Sequence, residues 1–405
     1  MIFSERASFA GGLNALAIAR KNLAASGRNY FDLSMSNPTQ VGLTFPQDVL
    51  AEALKEGARH GYAPDPHGLE VSRRAIAAHF AGKGVALSPE RLFLCASTSE
   101  AYSYLFKLLC DPGDAVLVPQ PGYPLFDNLA KLECVQAVGY ELDYEHPLGW
   151  SIDFERLCAR LAGDQEGKIK AIVLINPNNP TGSYLDETEL EELVALCKEY
   201  SLAIIADQVF FDFSIDSSID PSAPAVNLYG FDQVLTFVLD GFSKRLCLPQ
   251  VKLGWIYVSG PQEEVDASSR RLEIIADAFL SAGTPIMASA GALLACENEI
   301  QTATKARMER VLQIYKQELE GPLSPHRVLR CEGGWTALVQ SPAFDDEEVL
   351  AIGLLEEKGL YAHPGFFFDM RGGVFFALSL IIEPEDAHRA ARRYFEFFDS
   401  YCRNA

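Results

Sequence analysis

From residue 91 onward the chain sets short apolar runs at intervals filled by helical patterning. The runs are residues 92–96, 115–118, 135–140, 171–175, 202–206, 234–239 and 253–258. A strand wet on one face alternates apolar with polar side chains, whereas several of these runs are apolar throughout, as in strands covered by helices on both faces. The recurrence of strand-like and helix-like patterns predicts one mostly parallel sheet of seven strands at the centre of a large α/β domain.

After residue 260 the pattern changes. Helical stretches over about 261–320 lead into apolar runs at 328–331, 335–340 and 374–380, and an amphipathic helix follows over about 384–398. These predict a smaller α+β domain. The first 45 residues precede the regular alternation and hold the extended Leu33-Ser34-Met35-Ser36-Asn37-Pro38-Thr39, expected to form an arm that returns to the small domain. The expected division is therefore an arm over 1–45, a large domain over 46–285 and a small one over 286–405, within the range that 405 residues allow.

Charge narrows the partners. Fifty-five acidic against thirty-four basic side chains give a formal charge of -21, which repels nucleic acid and anionic membrane. No apolar stretch reaches the length of a bilayer span. The nine cysteines are scattered without a CxxC pair, so free thiols in a reducing compartment, the cytoplasm, are expected. The seven histidines show no ligand spacing and no metal is expected. Asp186-Glu187-Thr188-Glu189 reads as the acidic first turn of a helix.

Five segments at the ends of predicted strands carry chemistry, and strand ends are where open α/β sheets bind ligands. Ala96-Ser97-Thr98-Ser99-Glu100 reads as a capping box at a helix start, which leaves N–H groups and hydroxyls available to a phosphate; a purely structural cap would read the same. Pro121-Gly122-Tyr123-Pro124 holds an aromatic ring on a rigid turn, above a planar ligand or in the core. Asn176-Pro177-Asn178-Asn179-Pro180-Thr181-Gly182 fixes a loop in which Asn179 offers an amide donor. Asp207 ends an apolar run, and a buried carboxylate there requires a partner such as a pyridinium nitrogen. Lys244, in Phe242-Ser243-Lys244-Arg245, lies on a tight loop between two strand-like runs. Poor solvation there disfavours its ammonium form and frees the amine to attack an aldehyde, while an ordinary surface loop lysine would read the same.

The order of Tyr62, Ser97-Thr98, Tyr123, Asn179-Pro180-Thr181-Gly182, Asp207 and Ser243-Lys244 resembles that of the class I/II aminotransferases, pyridoxal 5'-phosphate enzymes of fold type I. The resemblance runs from about residue 33 to about residue 380. It implies that Lys244 forms the internal aldimine and moves the proton at the substrate Cα. It also implies that Asp207 pairs with the ring nitrogen, that Asn179 meets the ring O3' and substrate, and that Tyr123 stacks on the ring. Ser97, Thr98, Ser243 and Lys252 would hold the phosphate, and Tyr62 would reach it from the second subunit of a homodimer with shared sites. Trp335 matches an aromatic that lines the substrate site. The implied activity carries an amino group from an amino acid or related amine to a 2-oxo acid. The alternatives are a lyase or decarboxylase on the same cofactor, or a degenerate regulatory protein that binds it.

Four positions depart from the family pattern. Phe210 replaces a tyrosine that would donate to O3'. Lys252 replaces an arginine and loses its bidentate fork. Gly241 replaces a serine or threonine, removing a hydroxyl from the phosphate cup. Ala377 stands where relatives place the arginine that grips the substrate α-carboxylate, so Arg371 and Arg28 become the candidates for that anchor.

Overall fold

The computed structural model describes residues 2–8, 14–215, 225–322 and 324–404, with the backbone alone over 402–404. Cys402 therefore lies outside the described side chains, while Cys95, Cys110, Cys134, Cys158, Cys197, Cys247 and Cys296 are free.

In chain order the first strand is β1 (Phe31–Asp32). The large sheet follows with β2 (Leu92–Cys95), β3 (Ala115–Gln120), β4 (Gln136–Glu145), β5 (Gly149–Ile152) and β6 (Ile169–Ile175), then β7 (Ala203–Asp207), β8 (Thr236–Gly241) and β9 (Gly254–Ser259). The strand order is β2-β9-β8-β7-β6-β3-β4-β5. The run β8-β7-β6-β3-β4 is parallel, whereas β9 is antiparallel to both β8 and β2. All of β7, β8 and β9 is buried, as uninterrupted apolar runs require.

The sheet has eight strands rather than the seven expected. The additional strand β5 returns antiparallel along β4, pairing Leu142 with Ile152 and Glu145 with Gly149. Only Ile152 of its four residues is buried, so an edge strand of this kind leaves no apolar run in the sequence.

Parallel strands end on the same side of a sheet, and here that edge gathers the chemistry. β7 ends at Asp207 and β8 at Gly241, immediately before the short helix Phe242–Arg245 that carries Lys244. The helix Thr98–Leu109 begins directly after β2, with Ser97 as its N-cap. Asp186 caps the helix Glu187–Tyr200 in a complete capping box with Glu189, as its acidic first turn predicts.

The second sheet contains β10 (Arg327–Val328), β11 (Thr336–Ser341), β13 (His363–Pro364) and β14 (Val374–Ser379), antiparallel in the order β10-β11-β14-β13. It lies with the helices Glu297–Leu319 and Pro384–Asn404. The N-terminal segment joins this part of the molecule: β1 pairs in parallel with β12 (Leu360–Tyr361), matching Phe31 to Leu360 and Asp32 to Tyr361. Among the described residues, no helix is long and apolar enough to cross a membrane.

Candidate active site

Asp207 is 8% exposed, and no cation pairs with it among the described residues. Its Oδ2 accepts from the Tyr102 hydroxyl at 3.1 Å and its Oδ1 from the Val209 N–H at 3.2 Å. Burial disfavours the anion and pushes its pKa up to about 6, against those two hydrogen bonds and the charge of Lys244, which lower it. Two hydrogen bonds to a buried carboxylate leave it under-compensated, so it is arranged for a cationic or N–H partner.

Lys244 faces the same edge. Its Nζ donates to the Ser36 carbonyl at 3.4 Å and lies 4.8 Å from the centroid of Trp335 and 5.4 Å from that of Phe210. Desolvation lowers its pKa to about 8, against the charges of Cys247 and Asp207. The two shifts run in opposite senses, as burial requires of an acid and a base. Together they leave a more basic carboxylate beside a less basic amine.

The lysine is held by a network that the sequence pattern does not reveal. Arg245, the next residue, is 3% exposed and pairs with Asp240, with Asp212 at 2.5 Å and with Glu297 at 2.5 Å. Asp240 and Glu297 are themselves 0% and 2% exposed. Glu297 also meets His79 and Lys83, and these partners, with Arg245, hold its carboxyl down to about 2 against its desolvation. A guanidinium fixed by three carboxylates anchors the four-residue helix that presents Lys244.

Tyr102 is the other contact with no sequence signal. It stands on the helix that Ser97 caps, and its ring meets Phe126 edge-on, as does Tyr123 from the other side. Ser97 accepts from the Glu100 N–H at 3.3 Å, but the expected reciprocal bond is absent: the Glu100 carboxylate takes the Ala96 N–H at 2.7 Å instead. The capping box is therefore half formed. Glu100 thereby ties the helix start to the end of β2.

The asparagine-rich loop divides its labour. Asn176 bridges the Val226 carbonyl and the Leu185 N–H, and Asn178 donates to the Pro121 carbonyl at 3.0 Å and to Thr181. Asn178 thus fixes the turn that carries Tyr123. Gly182 has φ +72°, and a Cβ there would fall 2.6 Å from the Cys331 Sγ and from the Gly333 carbonyl, so the loop closes against the segment before Trp335 only with glycine. Asn179 remains available and lines a cavity of ≈ 420 Å³ with Tyr123, Ser36, Thr336, His363 and Ala377.

Trp335, 3% exposed, meets Phe210 and Phe213 edge-on and covers Lys244. Ser243 shares the short helix with Lys244. Thr98 opens the helix that Ser97 caps. Lys252 is exposed, in the left-handed conformation, and close enough to the Cys95 thiol at the end of β2 to act on it electrostatically. The hydroxyl that Gly241 was expected to forfeit has no space here: a Cβ at Gly241 would fall 2.9 Å from the Gly254 Cα and the Leu253 carbonyl.

Two candidate anchors, Arg371 and Arg28, lie away from this cavity, and Tyr62, expected at the site of a second subunit, lies away from that of its own chain. Arg371 lines a different cavity, of ≈ 310 Å³, with Asp143, Trp150 and Arg156. Arg28 is bound to the Glu356 carbonyl at 2.6 Å on the outer surface. Tyr62 is 75% exposed and borders a surface recess with Leu280 and Thr284 rather than this site. Among the described residues, no three His, Cys, Asp or Glu side chains are grouped so as to hold a metal ion.

The family described as aminotransferase class I and II matches residues 28–393. A glutamate-pyruvate aminotransferase, AlaA, of Escherichia coli (strain K12) is 29% identical over 271 residues, which are 65% of this chain and 63% of that protein. A tyrosine aminotransferase of Dictyostelium discoideum is 28% identical over 236 residues, 57% of this chain and 54% of that one. The matches thus span less than two thirds of these relatives. Among solved structures, an alanine aminotransferase from Pyrococcus furiosus superposes with a TM-score of 0.86 at 24% identity, covering 98% of this chain and 100% of that one. A Thermus thermophilus aspartate aminotransferase mutant superposes with a TM-score of 0.82 at 22% identity, covering 98% and 99%. At these identities the superpositions establish the fold, which is fold type I.

Proposed function

The chain belongs to the class I and II aminotransferases, and from that premise we propose that it transfers an amino group from an amino acid or related amine to a carbonyl acceptor of the 2-oxo acid kind, with pyridoxal 5'-phosphate as cofactor. The observation that carries the reading is the pair at the carboxyl edge of the sheet. An under-compensated carboxylate, Asp207, faces the same space as an amine of lowered basicity, Lys244. That donor set fits a ring with a protonatable nitrogen and an aldehyde.

In this reading Asp207 takes the ring N–H, Tyr123 lies on the ring face and Asn179 meets the ring hydroxyl and the substrate. The N–H groups and hydroxyls of Ser97 and Thr98, with Ser243 and Lys252, hold the phosphate. When bound, the cofactor supplies an electron-withdrawing ring that carries the amino group and accepts the electron pair of the broken Cα–H bond. The Lys244 Nζ would take the proton from the substrate Cα and deliver it to the cofactor carbon C4′; its lowered pKa raises the neutral fraction that can do so. Trp335 and Phe210 keep water from the amine.

Tyr62 completes the phosphate cup from the second subunit of a homodimer. Its own 75% exposure, beside Leu280 and Thr284, supports an interface there. The division into an arm over 1–45, a large domain over 46–285 and a small domain over 286–405 belongs to the same proposal, as does a cytoplasmic location suited to free cysteines.

The test is a single half-reaction. An amino donor added to the cofactor-loaded protein should convert the bound cofactor stoichiometrically to its amino form and release one carbonyl product. Catalytic release of ammonia and pyruvate instead would establish a lyase.

A further inference from the structure

We propose that this protein selects amines whose substituent facing β14 is uncharged, in preference to α-amino acids, and that His363 is the polar group that meets that substituent. The proposal rests on the transamination reading and names the substrate class of that site.

The cavity and Lys244 share Ser36: the lysine donates to its carbonyl, and the residue forms part of the cavity wall. Among the described residues, no lysine or arginine lines it. Its far wall is made by Ala377 with Leu33, Phe367 and Phe368. Ala377 is 3% exposed and stands between Leu338 of β11 and His363 of β13 in the sheet register, so no cation from a neighbouring strand replaces the one that alanine lacks. The nearby arginine on the arm is already engaged: Arg20 pairs with Asp32 at 2.9 Å, accompanied by the Tyr30 hydroxyl, and lies over the Tyr361 ring.

His363 is half-buried among the rings of Tyr361, Phe367 and Phe368, and no hydrogen bond or ion pair occupies its imidazole among the described residues. Desolvation lowers its pKa, so it meets the ligand as a neutral group. A carboxylate entering this wall would lose its water without gaining a counter-ion, whereas an apolar body or a neutral polar group loses little.

The chemistry balances as in any transamination. The donor's C–N bond is exchanged for C=O, with nitrogen passing to the cofactor and water supplying the oxygen. The donor yields two electrons and its Cα proton, and an acceptor carbonyl reverses each change. Because both half-reactions share one cavity, uncharged aldehydes should likewise outcompete 2-oxo acids.

The experiment uses the cofactor-loaded protein and donors matched except for the carboxylate: 2-phenylethylamine against L-phenylalanine, and 3-methylbutylamine against L-leucine. Conversion followed by absorbance in a stopped flow should favour the amine of each pair by at least about tenfold in rate constant over dissociation constant. Calorimetric binding gives a readout apart from turnover, with 3-phenylpropionamide expected to bind about tenfold more tightly than 3-phenylpropionate. Ala377→Arg should reverse the preference; since that site is buried, His363→Arg, at a half-buried position, provides the second variant with the same expectation. Preference for the amino acids by the unaltered protein, or an unchanged ratio in the folded variants, overturns this proposal and leaves transamination standing. Failure of every donor to convert the cofactor overturns both.

Discussion

Replacing Asp207 with asparagine should stabilise the protein without cofactor and weaken it with cofactor. The carboxyl is pushed from its ordinary 3.8 to about 6 chiefly by burial. A raised folded-state pKa means that the native chain binds more protons than the unfolded chain between these values. Stability therefore falls as pH rises through that window, and the full cost is present above it. A shift of about two units corresponds to roughly 3 kcal/mol at pH 8 and to about half of that at pH 5. Asp207→Asn keeps the shape and the bond from the Val209 N–H while removing the charge. Urea unfolding of the cofactor-free proteins should therefore show the variant more stable at pH 8, with the gap narrowing by about 1.5 kcal/mol at pH 5. Loading the cofactor should reverse the order, because only aspartate offers a counter-ion to a protonated ring nitrogen. A variant that is less stable without cofactor at pH 8, or a gap that ignores pH, would refute the argument that this carboxylate is kept uncompensated for a ligand.

Further outcomes follow from neighbouring residues. Phe210→Tyr places a hydroxyl beside Lys244; a hydrogen bond to a charged group is worth about 1.5–3 kcal/mol, so the visible-absorbance titration of the loaded protein should move down by about one to two pH units, and an unmoved midpoint refutes the assignment. Arg245→Met leaves the buried Asp240 and Glu297 without their shared cation and should cost about 3–5 kcal/mol in urea unfolding, whereas a loss below about 0.5 kcal/mol would mean that the network does not anchor the Lys244 helix. Gly241→Ser would press a Cβ against β9, costing about 1–3 kcal/mol of stability without raising cofactor affinity; tighter binding in equilibrium dialysis would show that a hydroxyl does fit there.

The parts of this site that sequence reveals are those tied to strand ends. Asp207 ends one apolar run and Lys244 lies on the short helix just after another, and parallel strands place such residues on one edge whatever else the chain does. What it conceals depends on contacts between distant segments. Tyr102 reaches Asp207 across 105 residues, and Arg245 reaches Glu297 across 52, so neither partner leaves a local pattern. Glu100 has the spacing of a capping box, yet its Oε2 accepts from the Ala96 N–H and from the Ser281 hydroxyl, 181 residues away. Arg371 stands elsewhere than its place in the sequence suggests. Proximity in sequence to β14 suggested the substrate wall, but the turn through Asp369 and Gly372, both at positive φ, carries it to another cavity. The strand β5 escaped because an exposed edge needs no apolar run.

The central claim is that Lys244 is the amine joined to the cofactor. Borohydride reduction of the loaded protein, followed by digestion and mass mapping, tests it directly. The account predicts a reduced cofactor adduct on the peptide containing Lys244, abolished when an amino donor is added before reduction. An adduct on another lysine, or labelling of Lys244 that a converting donor leaves undiminished, would contradict it.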